Sequence, residues 1–89
     1  MKLRKDYVLR RVAGSWVVLP LGKAALDFNG MLTLNESGVM LWHGLEEGKD
    51  REALATVLTD EYDVSYQRAL SDVDEYLAKL ASAGCIETE

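Results

Sequence analysis

Residues 31–50, the stretch MLTLNESGVMLWHGLEEGKD, carry the strongest structural signals in the sequence. The first four residues of this stretch are a short apolar segment typical of a strand, and Asn35 follows at once. An asparagine side chain can accept hydrogen bonds from the unpaired backbone N–H groups of a first helical turn, so we expect Asn35 to be an N-cap. Apolar residues then recur at helical spacing around Trp42, and Gly48 is predicted to end the helix. The stretch predicts a strand that passes into a helix with almost no loop.

The chain before this stretch has the pattern of antiparallel strands. Residues 7–12 alternate between two faces, and a second strand is expected at residues 16–19 after a tight turn. An Asn-Gly pair tolerates the positive φ angles of a type I′ turn, so we expect Ala25–Phe28 to pair with Met31–Leu34. The first of these two segments is short for a strand. The pattern predicts an antiparallel sheet of about three strands.

The chain after this stretch is predicted to be helical. Asp50 is the expected N-cap of a second helix, and Ser65 is the expected N-cap of a third helix that ends at Gly84. The third helix carries an apolar stripe that is wider than a one-sided contact requires, made of Tyr66, Ala69, Leu70, Val73, Tyr76, Leu77 and Leu80. Such a stripe can pack in a core or line a groove.

Length and element order together predict the fold class. A chain of 89 residues buries about 60–65% of its unfolded surface, which is enough for one modest core. We therefore expect a single domain over residues 1–89. Strands followed by helices predict an α+β fold, winged-helix-like, with an N-terminal three-stranded antiparallel sheet followed by three helices.

From Tyr7 to Ile86 the chain resembles the PqqD family. The most specific features are the Leu34–Asn35 pair, Trp42 seven residues after that asparagine, and the Leu45 and Gly48 that follow. The resemblance implies a non-catalytic precursor-peptide recognition element. Proteins of this kind capture the leader segment of a ribosomally made peptide and present it to a modifying enzyme. The resemblance further implies that this enzyme is often a radical S-adenosylmethionine protein, with pyrroloquinoline quinone biosynthesis as the namesake pathway.

The resemblance also implies where the leader binds. The peptide would add as a strand beside the third strand, in a groove walled by the third helix. A strand edge offers unpaired N–H and C=O groups, and apolar pockets can take alternate side chains of the peptide. The implied edge is Met31, Leu32, Thr33 and Leu34, and the implied wall is Arg68, Ala69, Asp72, Val73 and Tyr76. The strand residues can also be core residues, because one face of a strand can pack inward while its edge stays free.

Residue types that carry catalysis or bind metals are scarce in the sequence. It has one histidine, His43, and one cysteine, Cys85, and it contains no CxxC pair, no GxGxxG and no phosphate-binding GxxxxGK[ST] motif. We therefore expect no enzyme activity, no cofactor and no metal site. A single cysteine cannot form an intrachain disulfide, and no signal or membrane-spanning segment is apparent, so we expect a cytoplasmic protein without a membrane partner.

The charge pattern bears on nucleic-acid binding. The net charge is −5, and the basic residues concentrate in the first eleven positions. The third helix, which would enter the major groove in a winged-helix regulator, carries Asp72, Asp74 and Glu75. These carboxylates would repel phosphates, so we expect no nucleic-acid partner. DNA binding and an adaptor that binds a folded partner protein remain the alternatives to leader capture.

Overall fold

The computed structural model describes residues 2–27 and 32–87. The elements follow in the order expected for strands first and helices later. They are β1 (Lys2–Leu3), β2 (Tyr7–Val12), β3 (Ser15–Pro20), α1 (Ala24–Asp27), β4 (Leu32–Leu34), α2 (Glu36–Glu46), α3 (Arg51–Glu61), α4 (Tyr66–Ser82) and β5 (Ile86–Glu87). Among the described residues no helix is both long and apolar enough to cross a membrane.

The expected three-stranded antiparallel sheet is confirmed, in the order β2-β3-β4. A two-residue turn joins β2 to β3, and its residues Ala13 and Gly14 have φ angles of 51° and 83°. Positive φ at both central residues matches the right-handed twist of the flanking strands. In the second pairing, Trp16 lies opposite Leu34. In the described part of the chain, β4 therefore lies at an edge of the sheet.

The prediction of a strand at Ala25–Phe28 is wrong. Ala24–Asp27 form the single helical turn α1, and β4 pairs with β3 instead. Ala and Leu are good helix formers, and Gly22 adopts a φ of +57° that turns the chain before the helix. Three N–H groups in this segment bond to carbonyls three residues back, which a strand would not allow. The Asn-Gly turn, Phe28 and Met31 lie outside the described residues.

The two ends of the described chain form a second, two-stranded sheet. Lys2 pairs with Glu87 and Leu3 with Ile86 in antiparallel register. The Arg4 N–H extends the pairing by donating to the Cys85 carbonyl at 2.9 Å. Two-residue strands are too short to show a pattern in sequence, so this sheet was not predicted. It ties the first strand to the segment that follows α4.

The caps and ends expected for the three long helices are confirmed. Asn35, Asp50 and Ser65 each accept a hydrogen bond from the backbone N–H three residues on, at 2.9, 2.9 and 3.1 Å. Gly48 and Gly84 follow α2 and α4 with φ angles of +85° and +80°, a conformation that favours glycine at a helix end. Local sequence therefore sets where each helix begins and where two of them end.

Trp42 lies at the centre of the core. Its side chain is 1% exposed, and Val18 from the sheet and Val73 from α4 are fully buried in the same cluster. Trp16 is half-buried and packs against this cluster from β3. A buried tryptophan removes a large apolar surface from water, so Trp42 joins sheet and helices in one core.

Helices α2 and α3 approach closely at Gly44. A methyl group added there would lie 2.7 Å from Leu54 Cδ2, and Leu54 is fully buried. We expect Gly44→Ala to lower the free energy of unfolding by about 1–3 kcal/mol, although alanine is the better helix former, because the buried Leu54 side chain must shift within a packed core. Urea denaturation measures the change.

The matched test of that clash is the same substitution in a Leu54→Val background, where the contacting atom is removed. The loss caused by Gly44→Ala should be smaller there than in the wild-type chain. An equal loss in both backgrounds would contradict the packing explanation.

Candidate functional site

A cleft of about 790 Å³ opens between the edge of the sheet and α4. One wall is formed by β4 and the first turn of α2, and the other by the exposed face of α4. The end of α3 and the turn before α4 close one side. The lining residues are Thr33, Leu34, Asn35, Glu36, Ser37, Gly38, Leu41, Leu58, Tyr62, Val64, Asp72, Glu75, Tyr76 and Lys79.

The cleft lies where it does because Asn35 leaves no loop between β4 and α2. Its carboxamide oxygen accepts the Gly38 N–H at 2.9 Å and the Ser37 hydroxyl at 3.0 Å. The strand edge and the first turn of the helix are therefore held side by side. This arrangement follows directly from the LN pair in the sequence.

Tyr76 connects the two walls of the cleft. Its hydroxyl donates a hydrogen bond of 2.7 Å to the Gly38 carbonyl, across the space between α4 and α2. Burial raises the pKa of the Tyr76 phenol, so the hydroxyl stays protonated and able to donate at neutral pH. Gly38 makes room for the ring, since a methyl group there would lie 3.4 Å from Tyr76 Cε1 and 3.3 Å from Leu34 Cβ.

The edge strand presents one side chain inward and one outward. Leu34 is 6% exposed and belongs to the core, whereas Thr33 is exposed, and both residues line the cleft. In the described residues β4 has a strand neighbour on its β3 side only. Its other side therefore offers backbone hydrogen-bonding groups toward the cleft.

The walls combine apolar surface with negative charge. Tyr62 and Val64 are 37% and 36% exposed at the rim. Among the described lining residues, three carboxylates, from Glu36, Asp72 and Glu75, face one ammonium group, that of Lys79. An extended peptide with apolar side chains and no excess of negative charge fits such a surface.

The structure brings together some of the residues predicted for the site. Thr33, Leu34, Asp72 and Tyr76 all line the cleft. Ala69 and Val73 are fully buried, so they support α4 from the core side. The Arg68 guanidinium is exposed and donates to Asp72 Oδ1 at 3.3 Å, next to the cleft. Leu32 is half-buried and packs against the core, and Met31 lies outside the described residues.

Other lining residues were missed. Glu75 and Lys79 share a helical face with Asp72 and Tyr76, so their i+3 and i+4 spacing could have identified them. The predicted wall residues lie instead mainly on the apolar stripe, which forms the buried side of α4. Tyr62 and Val64 come from the turn between α3 and α4, and only the packing angle of the two helices brings them to the cleft.

The histidine and the cysteine lie in different environments. His43 is exposed, and its Nδ1 lies 2.8 Å from Glu46 Oε1. Cys85 is fully buried, and burial raises the pKa of its thiol to about 11, so little thiolate forms at neutral pH. Within residues 2–27 and 32–87 no three His, Cys, Asp or Glu side chains are placed to hold a metal ion.

The acidic face of α4 is partly neutralised from α3. The Arg51 guanidinium binds both carboxylate oxygens of Asp74, at 2.6 and 2.8 Å. This hydrogen-bonded pair holds the pKa of the Asp74 carboxyl below its usual value and raises the pKa of Arg51. The pair links α3 to α4 outside the cleft.

The sequence and the fold both match known proteins. Residues 15–86 match the model of a family described as coenzyme PQQ synthesis protein D (PqqD). The chain belongs to the PqqD family. The family predicted from the LN pair and Trp42 is thereby confirmed. A comparison with curated proteins found no significant match.

Two solved structures share the PqqD-family fold seen here. One is TbiB1 in complex with the TbiA(beta) leader peptide, which is 26% identical, with a TM-score of 0.81 over 100% of this chain and 98% of TbiB1. The other is lasso peptide synthetase B1 complexed with the leader peptide, which is 22% identical, with a TM-score of 0.79 over 98% of this chain and 96% of that one. The α+β fold class predicted from the sequence is confirmed.

The link between Tyr76 and Gly38 gives a prediction for this PqqD-family chain. Tyr76→Phe keeps the ring but removes the hydroxyl, so we expect the free energy of unfolding to fall by about 0.5–1.5 kcal/mol. Tyr66→Phe is the matched control, because Tyr66 is 44% exposed and its hydroxyl has no hydrogen-bond partner among the described residues. Chemical denaturation compares the two. Equal effects would contradict a link across the cleft.

Proposed function

We propose that this PqqD-family chain binds the leader segment of a ribosomally made precursor peptide in the cleft and presents it to a modifying enzyme. The observation that carries the proposal is the edge of β4, which faces the cleft without a strand neighbour in the described residues. The structural likeness to TbiB1, captured with a leader peptide, supports it. We propose a single-domain, cytoplasmic binding module without catalysis or a cofactor of its own.

Strand addition explains how a small domain can bind a flexible peptide. The leader would pair with β4 through backbone hydrogen bonds, which supply affinity. Its side chains alternate between two faces, so every second one would point toward Leu34, Tyr76 and their neighbours. Ala69 and Val73 would contribute by keeping α4 in place, while Thr33 and Asp72 would contact the peptide directly.

The enzyme served is proposed from family membership. Family membership favours the radical S-adenosylmethionine enzyme that the resemblance implies. The lasso peptide synthetase component shares the fold at 22% identity, and that likeness concerns the fold alone. The partner enzyme therefore has to be identified by capture.

An adaptor for a folded partner is the second candidate. Tyr62, Val64 and Tyr66 are exposed near the turn between α3 and α4, and such a cluster can dock a protein surface. Two of the three line the cleft, which fits a peptide better than a flat partner. DNA binding is disfavoured because Asp72, Asp74 and Glu75 lie on α4.

A pair of proline variants tests strand addition. Neighbouring residues of a strand point their N–H groups to opposite edges, so one of Leu32 and Thr33 faces β3 and the other faces the cleft. Proline removes the donor. We expect the substitution at the cleft-facing residue to lower leader affinity about tenfold, equivalent to one strong hydrogen bond, with little loss of stability. The other substitution should mainly lower the free energy of unfolding.

The measurement is affinity capture from the source cells with wild-type and variant chains as bait, read by mass spectrometry. Wild-type bait should retain a short precursor peptide and its enzyme, and the cleft-facing proline variant should lose the peptide. A peptide retained equally by both folded baits would contradict pairing at β4. A capture that yields only folded proteins would favour the adaptor.

A further inference from the structure

The sheet has a second edge, and that edge carries positive charge. In the part of the chain that the structure describes, β2 pairs with β3 only. Arg10, Arg11 and Val12, at the end of β2, are all exposed, and Val12 is 48% exposed. We call these three residues the basic edge. An exposed strand edge offers backbone N–H and C=O groups to another extended chain.

The arginines of the basic edge keep their charge uncompensated. Arg10 donates to the Leu9 carbonyl of its own strand at 2.9 Å. The Arg11 guanidinium lies 5.8 Å from the centroid of the Trp16 ring. Neither forms an ion pair with another described residue, whereas Arg51, Arg68 and Arg4 each contact a carboxylate. Both charges are therefore available to a partner.

Positive and negative charges are also separated along the sequence. Six of the ten Lys and Arg residues, but only one of the 15 Asp and Glu residues, lie in the first 23 positions. The cleft beside β4 has the opposite character, with Glu36, Asp72 and Glu75 in its walls. The two edges are separated by two strand spacings, about 10 Å, so different partners can occupy them together.

We infer that the basic edge docks an acidic, extended segment of a partner protein, which adds beside β2 while the cleft remains open. The charge of Arg10 and Arg11 selects carboxylates, the backbone edge selects a polypeptide, and Val12 offers an apolar contact. A nucleic acid fits less well, because it would bring many phosphates near a chain of net charge −5. This surface lies outside the cleft and does not depend on leader binding.

The test uses two capped heptapeptides and the full chain labelled with ¹⁵N. In one peptide glutamate alternates with valine and threonine, and in the other lysine replaces glutamate. A short DNA duplex is the third probe, and all three are titrated at about 0.15 M salt, where long-range attraction is screened. We expect the glutamate peptide to shift the amides of residues 10–12 and to leave residues 32–34 and 72–79 unchanged. The lysine peptide should not bind.

Two charge reversals supply the matched variants. Arg10→Glu and Lys49→Glu change the net charge equally, but Lys49 lies between α2 and α3. Arg10→Glu should weaken binding of the glutamate peptide on the order of fivefold or more, and Lys49→Glu should change it less than about twofold. Arg10→Gln, which adds no carboxylate, should have an intermediate effect and serves if the reversal disturbs folding.

Several results would overturn the inference. The inference of an acidic partner would be contradicted by any of three results. These are equal binding of the two peptides, amide shifts outside the basic edge, and an unchanged affinity of the Arg10→Gln variant for the glutamate peptide. Stronger binding of the duplex that depends on Arg10 would make the edge a nucleic-acid surface. If none of the three probes binds, the inference is wrong, and the arginines would serve only to prevent strand pairing between copies of the chain.

Discussion

The cap formed by Asn35 is the constraint on which the rest of the site depends. A single residue ends β4, accepts the N–H of Gly38 and starts α2, so the strand edge cannot move away from the helix. Trp42 lies about two turns along that helix and fixes it in the core. Edge, helix start and core are thus placed by one short stretch of sequence.

The cleft is a consequence of how α4 meets this unit. Tyr76 reaches the Gly38 carbonyl from α4, and Gly38 has no side chain that would keep the ring away. The buried side of α4 is held by Ala69, Val73 and Leu80, which leaves Asp72 and its neighbours facing the cleft. One helix therefore provides part of the core and one wall of the site.

Local signals predicted much of the fold, and long-range packing accounts for the rest. The caps at Asn35, Asp50 and Ser65 and the buried Trp42 depend on short-range hydrogen bonding and helical spacing, and each was visible in the sequence. The prediction of a strand at Ala25–Phe28 was wrong, because β4 forms its strand pairing with β3 instead. The wall of the cleft was only partly predicted, since an apolar stripe identifies the core side of α4, and the approach of Tyr62 depends on a tertiary angle.

In the function proposed here, a leader peptide becomes a strand on β4. Isotope-filtered nuclear Overhauser spectra of the labelled chain with the captured, unlabelled leader test it directly. We predict contacts between the peptide backbone and the backbone of residues 32–34, together with side-chain contacts to Tyr76. Contacts confined to residues 10–12, or to the turn between α3 and α4, would contradict it.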